Sequence, residues 1–365
     1  MLIDRRRMLG TALGLGSAAI TGPSSQAGAA PLTYEDATGI IRAPLRSAPR
    51  NRELVRFATL AANSHNTQPW TFTASANRIV IAPDFSRRCP AVDPDDHHLF
   101  VSLGCAAENL VLAASMLGLK ANPVIEGDEI AIDLEVVASR ATSPLAETIT
   151  VRQSTRTAYD GRPVAAEALR VLESACREPG VSTIMLTDRA RISNVADYVV
   201  RGNSAQMRDA AFMDELLHWL RFSEADAMAT MDGLFSRCSG NPALPAWIAR
   251  PLLGFFFTEK GEGKKYREQI ESSAGIVVLA ADASDKAHWI AVGRACQRFG
   301  LQATALGLKY AFINQPVEVA EMRSQFASFL DLGGRRPDII MRFGTGPNLP
   351  NSLRRAPEQV MREMS

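Results

Sequence analysis

The chain has 365 residues, 46% of them hydrophobic and 22% charged, and a formal net charge of +1. That composition is ordinary for a globular protein and excludes a disordered or fibrous polymer. A net charge so close to zero leaves no bulk field to attract nucleic acid or anionic lipid, which disfavours a nucleic-acid binder.

Residues 1–29 are read apart from the fold. Asp4-Arg5-Arg6-Arg7-Met8-Leu9-Gly10 resembles a twin-arginine export signal, followed by a small apolar run from Thr11 to Ile20 and a cleavage-like Ala27-Gly28-Ala29. The apolar run is shorter than the roughly 20 residues that span a bilayer, so no stable membrane anchor is expected. Such a signal implies a periplasmic or exported protein that crosses the membrane folded, often around a tight cofactor. Gly14-Leu15-Gly16 follows no strand and is not read as a dinucleotide loop. Cys89, Cys105, Cys176, Cys238 and Cys296 include no C-x-x-C pair. Cys105, Cys176 and Cys296 fall in helical apolar patterns and read as small core residues, and no disulfide is expected.

After a Pro-rich lead-in, Asn51 to Ala62 reads as a helix with Leu54, Phe57 and Ala58 on one face. It ends in Ala61-Ala62-Asn63-Ser64-His65-Asn66-Thr67-Gln68-Pro69-Trp70, a turn dense in hydroxyl, amide and imidazole groups suited to a planar polar ligand. Trp70 to Ala74 and Arg78 to Ala82 read as a hairpin, Asp93 to His98 as a polar turn, and Leu99 to Leu117 as a helix. Pro123 to Ile125 and Ile130 to Val136 are strand-like. A polar loop from Arg152 to Val164 leads into a helix over Ala165 to Arg177, then a strand over Ser182 to Leu186. Asp188 to Phe222 is mostly helical, and Ser223 to Gly263 is irregular, with an apolar cluster at Phe255-Phe256-Phe257. A buried strand over Ile276 to Ala280, helices over Asp285 to Leu308 and Val317 to Leu330, and a strand over Asp338 to Phe343 complete the pattern.

Two polar stretches invite a chemical reading. Asp93-Pro94-Asp95-Asp96-His97-His98 has the residue types of a zinc or nickel site, but neighbouring histidine side chains diverge and aspartates at a helix start act as caps. It is read as an acidic cap, with no metal expected. Val151-Arg152-Gln153-Ser154-Thr155-Arg156 sets two arginines four apart around a hydroxyl and an amide. Those fork-shaped donors suit a phosphate or the polar edge of a heteroaromatic ring. His65 lacks an evident carboxylate partner and reads as a brace for its loop. No G-x-S-x-G elbow, Walker loop or hydrolase triad is present.

The chain also contains a repeat. Gly104 to Lys120 aligns without gaps on Gly293 to Lys309, matching Ala106 with Ala295, Leu112 with Leu301, Ala114 with Ala303, and the closing Leu-Gly-Leu-Lys. Small residues along both helices would let two backbones approach closely, so two duplicated halves packed through them are expected. Arg42 and Arg46 share the spacing of Arg152 and Arg156 without the serine, and Cys176-Arg-Glu-Pro-Gly-Val-Ser182 stands where a second polar loop would fall. Each half has therefore kept a complementary part of one site.

Ser64-x-Asn66-x-Gln68-Pro69-Trp70, Arg152-x-Ser154-x-Arg156 and the two Gly-x-Ala…Leu-Gly-Leu helices together resemble the nitroreductase-like FMN-dependent oxidoreductases, in particular their exported, internally duplicated Acg branch. The resemblance covers nearly all of the chain after the signal except 223–263. It implies an α+β fold of two nitroreductase-like halves, 30–150 and 151–365, each a sheet flanked by helices, fused as a single-chain pseudo-dimer. The 223–263 insertion falls where relatives often carry an active-site cover, and its Phe255-Phe256-Phe257 cluster reads either as such a lid or, the safer reading, as core. It implies FMN held by Ser64 and Asn66 from one half and by Arg152, Gln153, Ser154 and Arg156 from the other. Arg354 and Arg355 fall where the family carries a further basic phosphate ligand, although their Leu353 and Ala356 flanks depart from its proline-flanked pair. Ala62-Asn63 departs likewise, replacing the family's commoner Pro-Ser. The implied activity is reduction of small electron-poor acceptors, nitroaromatic or quinone, by a monomer carrying one FMN, with no catalytic side chain assigned. The alternative is a flavin-binding or flavin-sequestering protein with little turnover.

Overall fold

A computed structural model describes residues 32–138, 143–249, 251 and 257–364. The signal-like segment and most of the Phe255-Phe256-Phe257 cluster lie outside the described residues. The helices and strands all belong to the unit that begins at Tyr34.

The first part contains α1 (Tyr34–Ile41), α2 (Arg50–Thr59), β1 (Trp70–Ala74), β2 (Arg78–Pro83), α3 (His97–Met116), β3 (Leu119–Glu126), β4 (Glu129–Val136) and α4 (Pro144–Thr148). It continues through α5 (Ala166–Ala175), β5 (Val181–Leu186), α6 (Arg189–Arg208), α7 (Ala210–Trp219), β6 (Leu220–Arg221), α8 (Glu224–Thr230) and β7 (Leu234–Phe235). The remainder is α9 (Glu259–Glu271), β8 (Gly275–Ala281), α10 (Lys286–Ala305), β9 (Lys309–Phe312), α11 (Gln315–Glu318), α12 (Ala320–Phe329), β10 (Ile339–Gly344), α13 (Pro357–Val360) and β11 (Met361–Glu363). The fold is α+β.

One sheet runs β11-β1-β2-β4-β3 and another β5-β8-β10-β9. Without β11, which joins parallel to β1, both follow the order first, second, fourth, third, with every neighbouring pair antiparallel. In each, the long helix precedes the third strand. Sequence patterns reflect burial: β1 alternates because one face is covered, whereas β8 and β10 are buried at every position because helices pack on both faces.

The two repeat helices, α3 and α10, lie between the sheets in the main core. α3 has the length and hydropathy of a membrane span, but 83% of that window is buried inside the protein, so its apolar surface is core. The helices touch backbone to backbone. A Cβ added at Gly104 would fall 2.1 Å from the Ile290 carbonyl oxygen, and one at Gly293 would fall 2.1 Å from that of Val101. The contacts are reciprocal across the repeat, and only glycine permits them.

Several boundaries differ from the sequence expectation for local reasons. The helical stretch after Asp188 divides at Asp209, whose carboxylate caps α7 by accepting from the amides of Ala211 and Phe212. The expected helix over Val317 to Leu330 breaks at Val319, whose backbone is extended. The stretch read as irregular holds α8, entered through a Ser223–Asp226 capping box, and the start of α9, capped by Thr258. β9 and β11 were unanticipated because they are short and are defined by their partners β10 and β1. All five cysteines are free and buried.

Candidate functional site

The polar turn after α2 is held in a backbone conformation that side chains disfavour. His65, Asn66 and Gln68 have φ of 46°, 55° and 55°, in the left-handed region that costs non-glycine residues free energy and that survives where surroundings enforce it. The enforcement comes from within the turn and from distant parts of the chain. Asn63 Oδ1 accepts from the Gln68 amide at 2.8 Å, Gln68 Nε2 donates to the Met231 carbonyl at 2.9 Å, and Gln68 Oε1 accepts from the Arg355 amide at 2.8 Å. From α10, Gln297 Oε1 accepts the Ala62 amide at 3.1 Å, while its Nε2 donates to Asn109 Oδ1 at 2.7 Å.

Asn63, Ser64 and His65 thereby line a cavity that Arg156, Ser239 and Gln269 also line. About 230 Å³ of it is accessible to the centre of a water molecule. Ser102 and Cys105 of α3 and Cys296 of α10 border it, so the repeat seam forms part of its wall. Residues of α6, α7, α9 and α11 complete the lining, with Phe212, Leu216 and Phe257 as apolar surface and Gln206, Tyr266 and Glu318 as polar groups. The loop and Arg156 were legible from sequence; the α6, α9 and α11 groups were not, as nothing local to them marks a site.

The remaining expected ligands take different places. Arg152, 3% exposed, donates from Nη2 to the Leu60 carbonyl at 2.8 Å and from Nη1 to the Tyr310 hydroxyl. Arg354, 4% exposed, donates from Nε to the Thr59 carbonyl at 2.7 Å and from Nη2 to that of Ala61 at 3.2 Å. Two guanidinium groups therefore crown the C-terminus of α2, where cations are favoured, immediately before the polar turn. Arg42 joins them, donating to the carbonyls of Thr150 at 2.8 Å and Arg152 at 3.2 Å. Burial, then the charges of Arg42 and Arg152, holds Arg354 well below the usual arginine range. Burial and Arg152 pull Arg42 down to about 9. The groups acting most strongly on Arg42 and Arg354 are neighbouring guanidinium groups, phenols and a thiol, with no carboxylate among them.

Gln153 ties the C-terminal segment, donating to the Leu349 carbonyl at 2.7 Å and accepting from its amide at 2.9 Å. Ser154 pairs by backbone with Tyr310, and its hydroxyl is buried without a partner. Asn66 turns away from the cavity, donating to the carbonyls of Gly233 at 3.0 Å and Leu353 at 3.3 Å, with its Oδ1 unpartnered. Arg355 donates to the Gln68 and Trp70 carbonyls and braces the turn. The cavity thus receives Ser64 and Arg156 directly, whereas Asn66, Gln153 and Arg355 shape its frame.

A phosphate-bearing planar ligand fits this constellation. The unpartnered Ser154 Oγ, Arg152 Nε and Arg42 Nε lie in or beside a set of guanidinium groups without carboxylate counter-charge, which is the donor chemistry of a phosphate site. The neighbouring cavity offers hydroxyl, amide and guanidinium edges with apolar walls.

His65 is close enough to Arg156 to feel its charge. Burial first, then Arg156 and His98, pulls its imidazole down to about 4, so it is neutral at pH 7. A depressed folded pKa contributes stability that is full above the unfolded value near 6.5 and is lost as pH falls towards about 4. His65→Asn, which tolerates a left-handed φ, is expected to lose less unfolding free energy than the parent between pH 7 and 4.5 in urea titrations. An equal loss in both proteins would contradict this.

Asp93, His97 and His98 present ligand-type atoms all within 4.8 Å of one another. Asp93, however, caps α3 with both oxygens, accepting from the amides of His98 at 3.0 Å and Leu99 at 2.9 Å. His97 stands between Arg336 Nη2 at 3.2 Å and Asp338 Oδ1 at 2.8 Å, the latter contact off the hydrogen-bond axis. A guanidinium against an imidazole nitrogen disfavours a metal cation there, so the cluster reads as a cap and a buried polar bridge.

No family model matches the chain. Two curated relatives, each named "Putative NAD(P)H nitroreductase", come from Mycobacterium tuberculosis strains CDC 1551 and H37Rv. Each is 26% identical over 329 residues, which is 85% of this chain and 90% of theirs. Among solved structures, the FMN-dependent nitroreductase NfnB of Mycobacterium smegmatis in complex with NADPH is 14% identical, with 55% of this chain and 87% of that one covered and a TM-score of 0.37. A nitroreductase with bound FMN from Bacteroides fragilis is 14% identical, with 56% and 90% covered and a TM-score of 0.35. The similarity to the mycobacterial proteins, spanning most of both chains, supports a nitroreductase-like family.

Proposed function

We propose that the chain is an FMN-binding oxidoreductase that reduces small electron-poor acceptors of nitroaromatic or quinone type. The observation that carries this reading is the meeting of Ser64 and Arg156, from distant loops, on one cavity beside the arginine set. In this reading Arg152, Ser154 and Arg354 hold the ribityl phosphate, while Ser64, Asn63 and Arg156 orient the ring. Bound FMN would supply the hydride chemistry, and a cation near its pyrimidine edge would favour the anionic reduced form. Phe212, Leu216 and Phe257 keep part of the cavity lining apolar and limit water.

The two halves, 30–150 and 151–365, form a pseudo-dimer fused in one chain. The shared strand order and the reciprocal Gly104 and Gly293 contacts support this. Only one site is complete. In the 176–182 turn, which stands in place of a second polar loop, Glu178 pairs with Arg294 and Arg298 of α10, so those two arginines are held by a carboxylate. The twin-arginine-type segment supports a periplasmic or exported protein; in that compartment NAD(P)H is scarce, and another electron donor is expected.

A second reading, flavin sequestration with little turnover, is favoured by the clamp on the polar turn. Gly233 exchanges hydrogen bonds with Asn66 at 3.1 and 3.0 Å, and Asp232 pairs with both Arg87 and Arg221. This part of the 223–263 cover is tied to the turn and would slow exchange of cavity contents. Anaerobic reduction of the flavin-loaded protein with NADPH, NADH and a quinol separates the readings. Reduction by one of them supports the enzyme; reduction by dithionite alone supports sequestration.

A further inference from the structure

On the wall of the cavity stand two titratable side chains from the two repeat-bearing parts of the chain, Glu318 of α11 and His98 of α3. Glu318 has 18% of its side chain exposed and His98 6%. The pair is close but not bonded: His98 Nδ1 lies 4.0 Å from Glu318 Oε1, beyond a direct hydrogen bond and within the span of one bridging water. The other oxygen, Oε2, accepts from Gln206 Nε2 at 2.6 Å, which leaves Oε1 as the free oxygen beside the cavity. His98 Nε2 lies 3.3 Å from the Asp338 carbonyl oxygen, which can only accept, so Nε2 carries the hydrogen and Nδ1 is the nitrogen that exchanges a proton towards Glu318.

We infer that Glu318 is the proton donor to an acceptor bound in this cavity, and that His98 returns the proton to it. The inference rests on the oxidoreductase reading. Reduction of a quinone to a hydroquinone consumes two electrons and two protons. Bound flavin in its reduced form would supply both electrons and one of the protons as hydride, itself becoming oxidised. The second proton leaves Glu318 Oε1 and forms the O–H bond of the hydroquinone, leaving a carboxylate. A proton taken up from water at His98 Nδ1, the unprotonated ring nitrogen, then passes to the carboxylate and restores the carboxyl group.

The surroundings favour this division of roles. Burial pushes the Glu318 carboxyl above the usual carboxylate range, more than His98, Gln206 and Arg323 hold it down, and Asp93 adds to the rise. Tyr266 of α9 and Cys89 also lie within the field of Glu318. His98 is faced by Asp338, the residue before β10, by His65 of the polar turn, and by the ring of His97 at a centroid distance of 4.6 Å. Among these, Glu318 and His98 border the cavity with a polar atom directed at each other, whereas Asp93, His97 and Asp338 are committed to the cap and the bridge behind them.

Two measurements test the inference. The flavin-loaded chain, reduced anaerobically with dithionite, is mixed with p-benzoquinone and its reoxidation followed across pH 5 to 9. Glu318→Gln is expected to slow that step about 100-fold at neutral pH, as for loss of a general acid, and to flatten its pH dependence, while Glu318→Asp retains the pH dependence. In parallel, the Glu318 carboxyl of the flavin-free chain is titrated by ¹³C NMR of labelled glutamate. A resonance titrating above the ordinary range, absent in Glu318→Gln and moved upward in His98→Gln, is expected. Reoxidation by Glu318→Gln within threefold of the parent and with the same pH profile would overturn the proton-donor role, and so would a Glu318 resonance unmoved in His98→Gln. If the chain binds no flavin, the function reading fails visibly in the absorption spectrum and the redox step falls with it, whereas the carboxyl titration separately decides whether the pair exists.

Discussion

Gly104→Ala is expected to lower the unfolding free energy by about 3–5 kcal/mol, a cost reserved for backbone-level clashes in a core. In an exposed helix the same exchange would gain about 1 kcal/mol from helix propensity, so even the sign is informative. The new methyl would lie 2.1 Å from the Ile290 carbonyl oxygen, against the 3.4 Å at which ordinary contact begins. Its neighbour is a helix backbone, which cannot rotate away as a side chain can. α3 and α10 must separate, loosening the apolar layer between the sheets. Gly293→Ala is expected to cost a similar amount, because its methyl meets the Val101 carbonyl oxygen at the same 2.1 Å. Denaturant midpoints at constant slope measure both. A variant as stable as the parent would mean that the helices do not touch as described.

Arg152→Ala is expected to damage both stability and flavin retention. Its guanidinium makes buried hydrogen bonds to the Leu60 carbonyl and the Tyr310 hydroxyl. Removing them leaves two buried groups unpaired, at a cost of about 3 kcal/mol. Loss of the fork that would grip the phosphate is expected to weaken FMN binding about 100-fold, or about 2.7 kcal/mol. Arg152→Lys keeps the charge without the fork and should fall between. Arg156→Ala supplies the contrast, because the guanidinium reaches Ser239 Oγ only at 3.5 Å, a weak contact to lose. It should weaken flavin binding with little change in stability. If Arg152→Ala lowered stability but left FMN affinity intact, the residue would be a cap for α2 and nothing more.

The parts of the fold that sequence revealed are those with local causes. The repeat helices were legible because burial all round demands small and apolar residues throughout, and the close approach demands glycine at positions 104 and 293. The polar turn was legible because amides and hydroxyls cluster between a helix and a strand. Roles set by distant partners were not. Asn66 finds its acceptors 167 and 287 residues away, so a residue expected to face the ligand is instead the peg on which the 223–263 segment and the C-terminal segment hang. Arg354 likewise reaches the α2 C-terminus across 295 residues. His98 read as part of a cap, and that holds for its amide; its ring faces Glu318, 220 residues further along the chain, which no local pattern could announce.

Flavin content of the purified mature chain, from its visible spectrum and protein concentration, tests the composite site most directly. A flavin band with a single FMN per chain is the predicted result, since the polar turn and the arginine loop occur together once. The absence of any flavin after reconstitution with FMN, or a ratio near two, would contradict it.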